Sequence, residues 1–121
     1  MNPPAAIPDL AELRDRLRTF AQQRDWEQFH SPKNLVMALI AEAAEIVEHF
    51  QWLTEKESEN LPLDKRALVA DELADVLIYL VRVADKLDVD LLAAVSEKLK
   101  RNEEKYPAPL VKGSARKYTE Y

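Results

Sequence analysis

Two apolar stretches of this 121-residue chain each carry a pair of carboxylates three residues apart, and this pattern limits the folds that the chain can adopt. Glu42 and Glu45 lie in LVMALIAEAAEIVEHF, and Glu72 and Asp75 lie in LVADELADVLIYLV. At this spacing both acids of a pair share one face of a helix. Like charges that close on an apolar face repel each other and lose hydration, and a divalent cation offsets both effects. The pattern therefore indicates a metal site built from two packed helices.

The composition favours an all-α protein of one domain. A single glycine among 121 residues argues against a strand-and-turn fold and against a glycine-rich phosphate loop. The absence of cysteine excludes disulfides, thiolate zinc sites and cysteine nucleophiles. A net charge of −5 disfavours nucleic acid and anionic membranes as partners, although it leaves a nucleotide substrate open.

The N-terminal sequence MNPPAAIPDL lacks the basic and apolar regions of a signal peptide. No uninterrupted apolar run approaches the roughly 20 residues that span a bilayer. We therefore expect a soluble, cytoplasmic protein without a membrane partner.

Capping signals predict four helices. The first helix follows Pro8 with Asp9 as its N-cap. The second begins at Ser31 and Pro32 and runs to about Leu53. The segment RDWEQFH, residues 24–30, separates these helices and is called the aromatic loop below.

The third helix is expected to begin at an Asp64 cap and to run to about Leu87. Asp88 or Asp90 caps the fourth helix, which ends before Pro107. These boundaries predict an N-terminal extension (residues 1–8), a four-helix domain (residues 9–106) and a C-terminal tail (residues 107–121).

The third helix is apolar around most of its circumference. A helix of this kind is normally surrounded by protein, and four helices of this size cannot easily enclose one of their own number. We therefore expect the chain to form a homo-oligomer. The apolar residues are Leu68, Val69, Leu73, Val76, Leu77, Ile78, Leu80, Val81, Val83 and Ala84.

The carboxylate pairs begin two polar stripes at the same helical spacing. One stripe consists of Glu42, Glu45, His49 and Trp52, and the other of Glu72, Asp75, Tyr79 and Arg82. Packing the stripes together would bring four carboxylates around one pocket, and oxygen ligands suit Mg²⁺ or Mn²⁺. The alternative is that these acids form solvated faces with salt bridges to nearby basic residues.

Three further features are candidates for the site. Glu48 is a supporting ligand, a water-activating base or an exposed residue. Trp26, Phe29 and His30 of the aromatic loop could stack on a nucleobase, or the two larger aromatics could plug the end of the bundle. Lys98 and Asn102 share one face of the fourth helix, where they could contact phosphate and a sugar or base edge.

EAAE, followed after 26 residues by ELAD, resembles the E-x-x-E…E-x-x-D signature of the all-α nucleotide pyrophosphohydrolases, the MazG-like superfamily. The similarity is closest to the dCTP pyrophosphatase branch of this superfamily. It extends from about Leu10 to Glu120, and the vertebrate members carry a histidine in place of Leu17. The segments that carry it are RDWEQFHSPKNL, FQW, ELADVLIYLV, Asn102 with Tyr106 and Pro107, and ARKYTE.

This resemblance implies a role for individual residues. The implied Mg²⁺ ligands are Glu42, Glu45, Glu72 and Asp75. The implied contacts to the nucleotide are Trp26, His30, Trp52, Tyr79, Lys98 and Asn102. The resemblance also implies a helical homotetramer, a dimer of dimers.

The implied reaction is hydrolysis of a nucleoside triphosphate to the monophosphate and pyrophosphate, with dCTP and 5-modified dCTP as favoured substrates and sanitation of the dNTP pool as the purpose. We expect water to attack the α-phosphorus, with Glu45 or Glu48 as base and Lys98 neutralising the triphosphate. Two alternatives stay open. One is a broader (d)NTP pyrophosphohydrolase that acts on dUTP or damaged nucleotides, and the other is a helical interaction module without catalysis.

Overall fold

The computed structural model describes residues 5–120, and helices are the only regular elements within that range, as predicted for an all-α protein. The chain divides into two compact units, Met1–Asp88 and Val89–Tyr121. The first contains α1 (Leu10–Gln23), a 3-10 turn (Glu27–Phe29), α2 (Pro32–Phe50), α3 (Glu55–Ser58) and α4 (Leu63–Lys86). The second contains α5 (Leu91–Lys105), α6 (Ala108–Val111) and a 3-10 turn (Tyr118–Glu120). Residues 1–4 of the predicted N-terminal extension lie outside the described residues.

Side-chain caps begin three of the helices where the sequence predicts them. The Asp9 carboxylate accepts the Glu12 N–H at 2.8 Å, and the Ser31 hydroxyl accepts the Asn34 N–H at 3.1 Å. Asp90, rather than Asp88, caps α5 by accepting the N–H of Ala93. Each cap satisfies an N–H that has no partner within its own helix.

The predicted boundaries are wrong at two places. Helix α2 ends at Phe50, because Thr54 and Glu57 form a reciprocal capping box that starts the short α3. Helix α4 begins at Leu63 with Pro62 as its N-cap, so Asp64 lies in the first turn and does not cap the helix. The fourth predicted helix ends before Pro107, as expected, and the short α6 follows within the predicted tail.

Helices α2 and α4 pack along each other, and α1 packs against α4. The buried apolar residues of the described chain are small or aliphatic: Ala21, Leu35, Val69, Val81 and Ala84. This packing brings the two carboxylate-bearing helices together. No helix among the described residues combines the length and the apolar character needed to cross a membrane.

The end of α1 determines where the aromatic loop starts. Asp25 adopts φ +55°, a left-handed conformation that aspartate tolerates better than most residues. The N–H of Asp25 donates to the carbonyl of Gln22, and that of Trp26 donates to the carbonyl of Ala21 at 2.9 Å. This is a Schellman motif with aspartate in the usual glycine position, and it fixes the backbone of Trp26 against the last turn of α1.

Candidate metal centre

Three carboxylates from two helices meet in the first unit. Oxygens of Glu42, Glu45 and Glu72 lie within 4.8 Å of one another. Glu42 and Glu72 are half-buried, and Glu45 is exposed. We call these three residues the carboxylate cluster. The cluster brings the α2 pair together with Glu72 of the α4 pair.

Without a bound cation, the neighbouring carboxylates favour the protonated forms of Glu72 and Glu42. Hydrogen bonding to the Glu45 carboxyl, followed by burial and the charge of Glu45, raises the pKa of Glu72 from 4.5 to about 7. Burial raises the pKa of Glu42, and the charges of Glu45 and Asp75 raise it further. Like charges are therefore held close together at a cost in free energy.

The residues of the cluster fit a hard divalent cation. Oε2 of Glu42 and Oε2 of Glu72 are buried, and neither has a hydrogen-bond partner among the described residues. Buried polar atoms without partners are rare in folded proteins. A cation would coordinate these oxygens and offset the repulsion that raises both pKa values.

Asp75 lies one turn after Glu72 on α4 and is half-buried. Its oxygens are not among those that lie within 4.8 Å of one another, so the structure brings together three of the four predicted ligands. Its negative charge nevertheless raises the pKa of Glu42. Asp75 therefore stays a predicted ligand at the edge of the carboxylate cluster.

The neighbours of the cluster on α2 differ in exposure. Glu48 is exposed on the turn after Glu45. His49 is half-buried, and its Nε2 lies 4.0 Å from Oε1 of Glu72. Sequence reasoning did not assign this contact, although His49 stands on the same stripe as the α2 pair. Trp52, two residues after the end of α2, is 86% exposed.

The aromatic loop presents its rings to solvent. Trp26 is 44% exposed and Phe29 is 59% exposed, so neither plugs the end of the helix bundle in this chain. The ring of Trp26 packs edge-on against Phe20 at a centroid distance of 5.7 Å and lies 6.3 Å from the ring of His30. A flat ring held on one edge and exposed on the rest suits stacking against a planar ligand.

The remaining candidates lie on α4 and α5. Tyr79 is half-buried on the α4 stripe that also carries Glu72 and Asp75. Lys98 is exposed and Asn102 half-buried, one turn apart on α5 of the second unit. The predicted sharing of one face by Lys98 and Asn102 follows from this helical spacing.

Arg82 is a residue whose importance the sequence did not reveal. It closes the α4 stripe, is 3% exposed, and bonds to Glu27 and His30 of the aromatic loop. Its position in the series after Glu72, Asp75 and Tyr79 was the available signal. An arginine on a stripe of polar residues gives no sign that it will be buried.

The first unit is all-helical, and its two packed helices α2 and α4 carry the carboxylate cluster. The chain is therefore a helical protein with a candidate divalent-metal site. Within this class, the sequence profile of the MazG-like family matches residues 37–121, and the chain belongs to that family. The predicted family resemblance is thereby confirmed.

Relatives and solved structures agree with this assignment. The chain is 47% identical to dCTP pyrophosphatase 1 of Homo sapiens over 115 residues, which cover 93% of this chain and 68% of that protein. It is 46% identical to dCTP pyrophosphatase 1 of Mus musculus over the same shares. The crystal structure of a pyrophosphatase from Archaeoglobus fulgidus matches with a TM-score of 0.78 and 36% identity, covering 88% of this chain and 99% of that chain.

Proposed function

We propose that this chain is a Mg²⁺-dependent nucleoside triphosphate pyrophosphohydrolase that converts dCTP, and 5-modified dCTP, to the monophosphate and pyrophosphate. The observation that carries the proposal is the carboxylate cluster, with its two buried and unpartnered oxygens. The likeness to proteins named dCTP pyrophosphatase 1 supports the choice of substrate.

The proposed metal ligands are Glu42, Glu45 and Glu72, with Asp75 beside them. Bound Mg²⁺ supplies positive charge that offsets the charge of the phosphate oxygens and of the leaving pyrophosphate. Mn²⁺ is the expected substitute because it accepts the same oxygen ligands.

The chemical step is attack of water on the α-phosphorus. The water oxygen forms a bond to this phosphorus while the bond to the oxygen bridging the α- and β-phosphates breaks. An exposed carboxylate, that of Glu45 or Glu48, takes the proton of the water. No covalent enzyme intermediate is needed, so the lack of cysteine does not limit the reaction.

The proposed nucleotide contacts divide by chemistry. The exposed rings of Trp26 and Trp52 provide faces on which a base can stack, with His30 beside Trp26. Tyr79 and Asn102 provide hydrogen bonds, and Lys98 provides positive charge for the triphosphate.

We also propose that the chain assembles as a homotetramer, a dimer of dimers. Helix α4 leaves Leu68, Leu73, Leu77 and Leu80 exposed, and α2 leaves Met37, Ile40 and Val47 exposed. Large apolar residues exposed along two neighbouring helices are typical of an association surface.

A substrate panel tests the proposed activity. The protein is incubated with Mg²⁺ and with each NTP, dNTP and 5-modified dCTP, and the products are separated by chromatography. Selective formation of dCMP and pyrophosphate supports the proposal, whereas broad turnover that includes dUTP indicates a house-cleaning enzyme. No turnover of any nucleotide would indicate a non-catalytic helical module.

Glu45→Gln tests the site itself. The variant keeps the shape of the side chain but removes the charge, so activity should fall by at least about a hundredfold. Glu59→Gln is the matched control, because Glu59 is exposed at the end of α3 and does not belong to the cluster. Activity of Glu45→Gln near that of the control would overturn the site assignment.

A further inference from the structure

Arg82 is a buried cation whose partners come from a different part of the chain. Nη2 of Arg82 donates to Oε1 of Glu27 at 2.9 Å and lies 3.1 Å from Nδ1 of His30. Nη1 lies 3.4 Å from Oδ2 of Asp85, one turn further along α4. A guanidinium with 3% exposure requires acceptors within the protein, and two of those named here belong to the aromatic loop.

The ends of the aromatic loop are held by neighbouring helices. The Schellman motif ties Trp26 to α1, and the Asn34 side chain of α2 donates to the carbonyl of Phe29 at 3.0 Å. These contacts are local in sequence. They fix the chain where it leaves α1 and enters α2.

The middle of the loop is held by α4. Besides Arg82, the ammonium of Lys86 contacts the second carboxylate oxygen of Glu27. Glu27 and His30 are 55 and 52 residues away from Arg82 in the sequence. The long-range anchor of the loop therefore stands on the helix that also carries Glu72 and Asp75.

The hydrogen bond to Arg82 also selects the form of His30. A guanidinium only donates, so Nδ1 of His30 accepts and its ring proton lies on Nε2. His30 is thus held as the neutral tautomer with an N–H donor on Nε2. A carbonyl oxygen or ring nitrogen of a pyrimidine is the kind of acceptor that suits such a donor.

We propose that Arg82 is a positioning residue for base recognition. Through its contacts with Glu27 and His30 it holds the aromatic loop, including Trp26, in a fixed position relative to the α4 face that carries Glu72 and Asp75. This inference rests on the proposed function. Arg82 itself does not touch the substrate in this proposal. Its effect is on the position of the loop and on the tautomer of His30.

Lysine cannot replace arginine in this role. One planar guanidinium reaches Glu27, His30 and Asp85 at the same time, whereas an ammonium is a compact donor without that fork. Arg82→Lys therefore keeps the buried charge but loses part of the geometry. Glu27→Ala removes the loop side of the contact at a partly exposed residue, where folding is less at risk.

The test compares these two variants with Arg18→Gln. Arg18 also bonds to Asp85 but not to the aromatic loop, so this control removes a contact to the same carboxylate. Arg82→Lys and Glu27→Ala should raise the KM for dCTP about tenfold while kcat and the Mg²⁺ dependence stay within about twofold. Arg18→Gln should leave the KM unchanged.

A second readout needs no substrate. In a Trp52→Phe background Trp26 is the remaining tryptophan, and its quenching by iodide reports how the loop is held. Arg82→Lys and Glu27→Ala should increase the quenching constant about twofold over the background protein, because the loop segment that follows Trp26 loses its contacts to α4. Arg18→Gln should not change it.

Two results would overturn the proposal. One is an unchanged KM and unchanged quenching in folded Arg82→Lys and Glu27→Ala. The other is an equal effect of Arg18→Gln, which would indicate a general loss of stability. If the wild-type protein hydrolyses no nucleotide, the proposed function fails, and the quenching comparison still decides whether Arg82 holds the loop.

Discussion

Arg18 of α1 and Asp85 of α4 form a two-pronged ion pair, in which Nε of Arg18 donates to Oδ2 of Asp85 at 2.8 Å and Nη2 donates to Oδ1. Asp85 also accepts a hydrogen bond from Arg82, which in turn bonds to Glu27 of the aromatic loop. One carboxylate therefore links α1 to α4 directly and to the aromatic loop through Arg82. Its side chain is 9% exposed. The pair is thus better placed to affect stability than an ion pair in water.

Asp85→Asn should destabilise the fold by about 3 kcal/mol at neutral pH, because the buried Arg82 loses a charged partner. The hydrogen bond from Arg18 is the main cause that lowers the pKa of Asp85 below 3.8. The stabilising contribution is therefore present above pH 3.8 and is lost as the pH falls through the lowered pKa. Urea denaturation at several pH values measures the difference between wild type and variant.

Asp15→Asn is the control for this comparison. Asp15 pairs with Arg14 and Arg18 at the surface, so its loss should cost less than about 1 kcal/mol. Equal effects of the two substitutions would show that the burial of Asp85 is not what makes its ion pairs stabilising.

The carboxylate cluster gives a pH dependence of opposite sign. Because the folded-state pKa of Glu72 is raised from 4.5 to about 7, the folded protein binds this proton more tightly than the unfolded chain does. Without metal, stability should fall as the pH rises from about 4.5 through about 7. Mg²⁺ should restore stability most strongly above this range, where the proton no longer competes.

Thermal unfolding with EDTA or Mg²⁺ at pH 5 and pH 8 checks both parts. Glu72→Gln should flatten the metal-free pH profile and remove most of the Mg²⁺ effect. Glu59→Gln, outside the carboxylate cluster, should retain both. A Tm of the wild type that does not respond to Mg²⁺ at pH 8 would contradict the metal site.

The helices and the carboxylate pairs were readable from the sequence because both depend on local spacing. Asp9 and Ser31 cap helices through bonds to residues three positions away. Glu42 and Glu45, also three positions apart, share one face of α2. The i, i+3 pattern therefore led directly to the three residues of the carboxylate cluster. Sequence spacing was sufficient wherever the contacts join residues that are close together in the sequence.

The contacts of Arg82 could not be read in this way. Its bond to Glu27 joins residues 55 positions apart, and nothing in the spacing of either residue specifies the partner. The prediction of where α4 starts was wrong for a related reason. Aspartate is a good N-cap, but the helix begins at Leu63, before Asp64. Pro62 makes no side-chain capping bond, so the local capping signal does not determine where α4 begins.

His30 should remain neutral below the pH at which an ordinary histidine titrates. Burial lowers its pKa from 6.5, and the positive charge of Arg82 lowers it further. Since the unfolded chain takes up this proton first, acidification from about 6.5 down through the lowered pKa should destabilise the fold. NMR titration of the ring protons measures the shift, with the assignment made by His49→Gln.

Arg82→Gln should move the titration of His30 toward its ordinary value, because the substitution removes the positive charge next to Nδ1. Arg24→Gln is the control, since the guanidinium of Arg24 stacks on Phe20 rather than on the histidine. A titration of His30 at or above 6.5 in the wild type would contradict the contact with Arg82.

Trp52 should affect nucleotide affinity without affecting the fold. Its ring is 86% exposed, so Trp52→Ala removes little packing and should change the Tm by less than about 2 °C. Loss of a stacked base costs about 1–3 kcal/mol, which raises the KM for dCTP roughly five- to 150-fold. Trp52→Phe keeps an aromatic face and should retain most of the affinity; equal KM values for the two variants would exclude stacking on this ring.

Ile40 tests the proposed assembly. It is 65% exposed on α2, between Met37 and Val47 and on the face of the helix away from Glu42 and Glu45. Ile40→Lys should shift the protein toward smaller species in sedimentation velocity at micromolar concentration, because a charge in an apolar interface loses its hydration. Leu63→Lys is the control, since Leu63 is an exposed leucine on a different helix, at the first residue of α4. A monomeric wild type, or an Ile40→Lys protein of unchanged size, would show that these apolar residues do not form the interface.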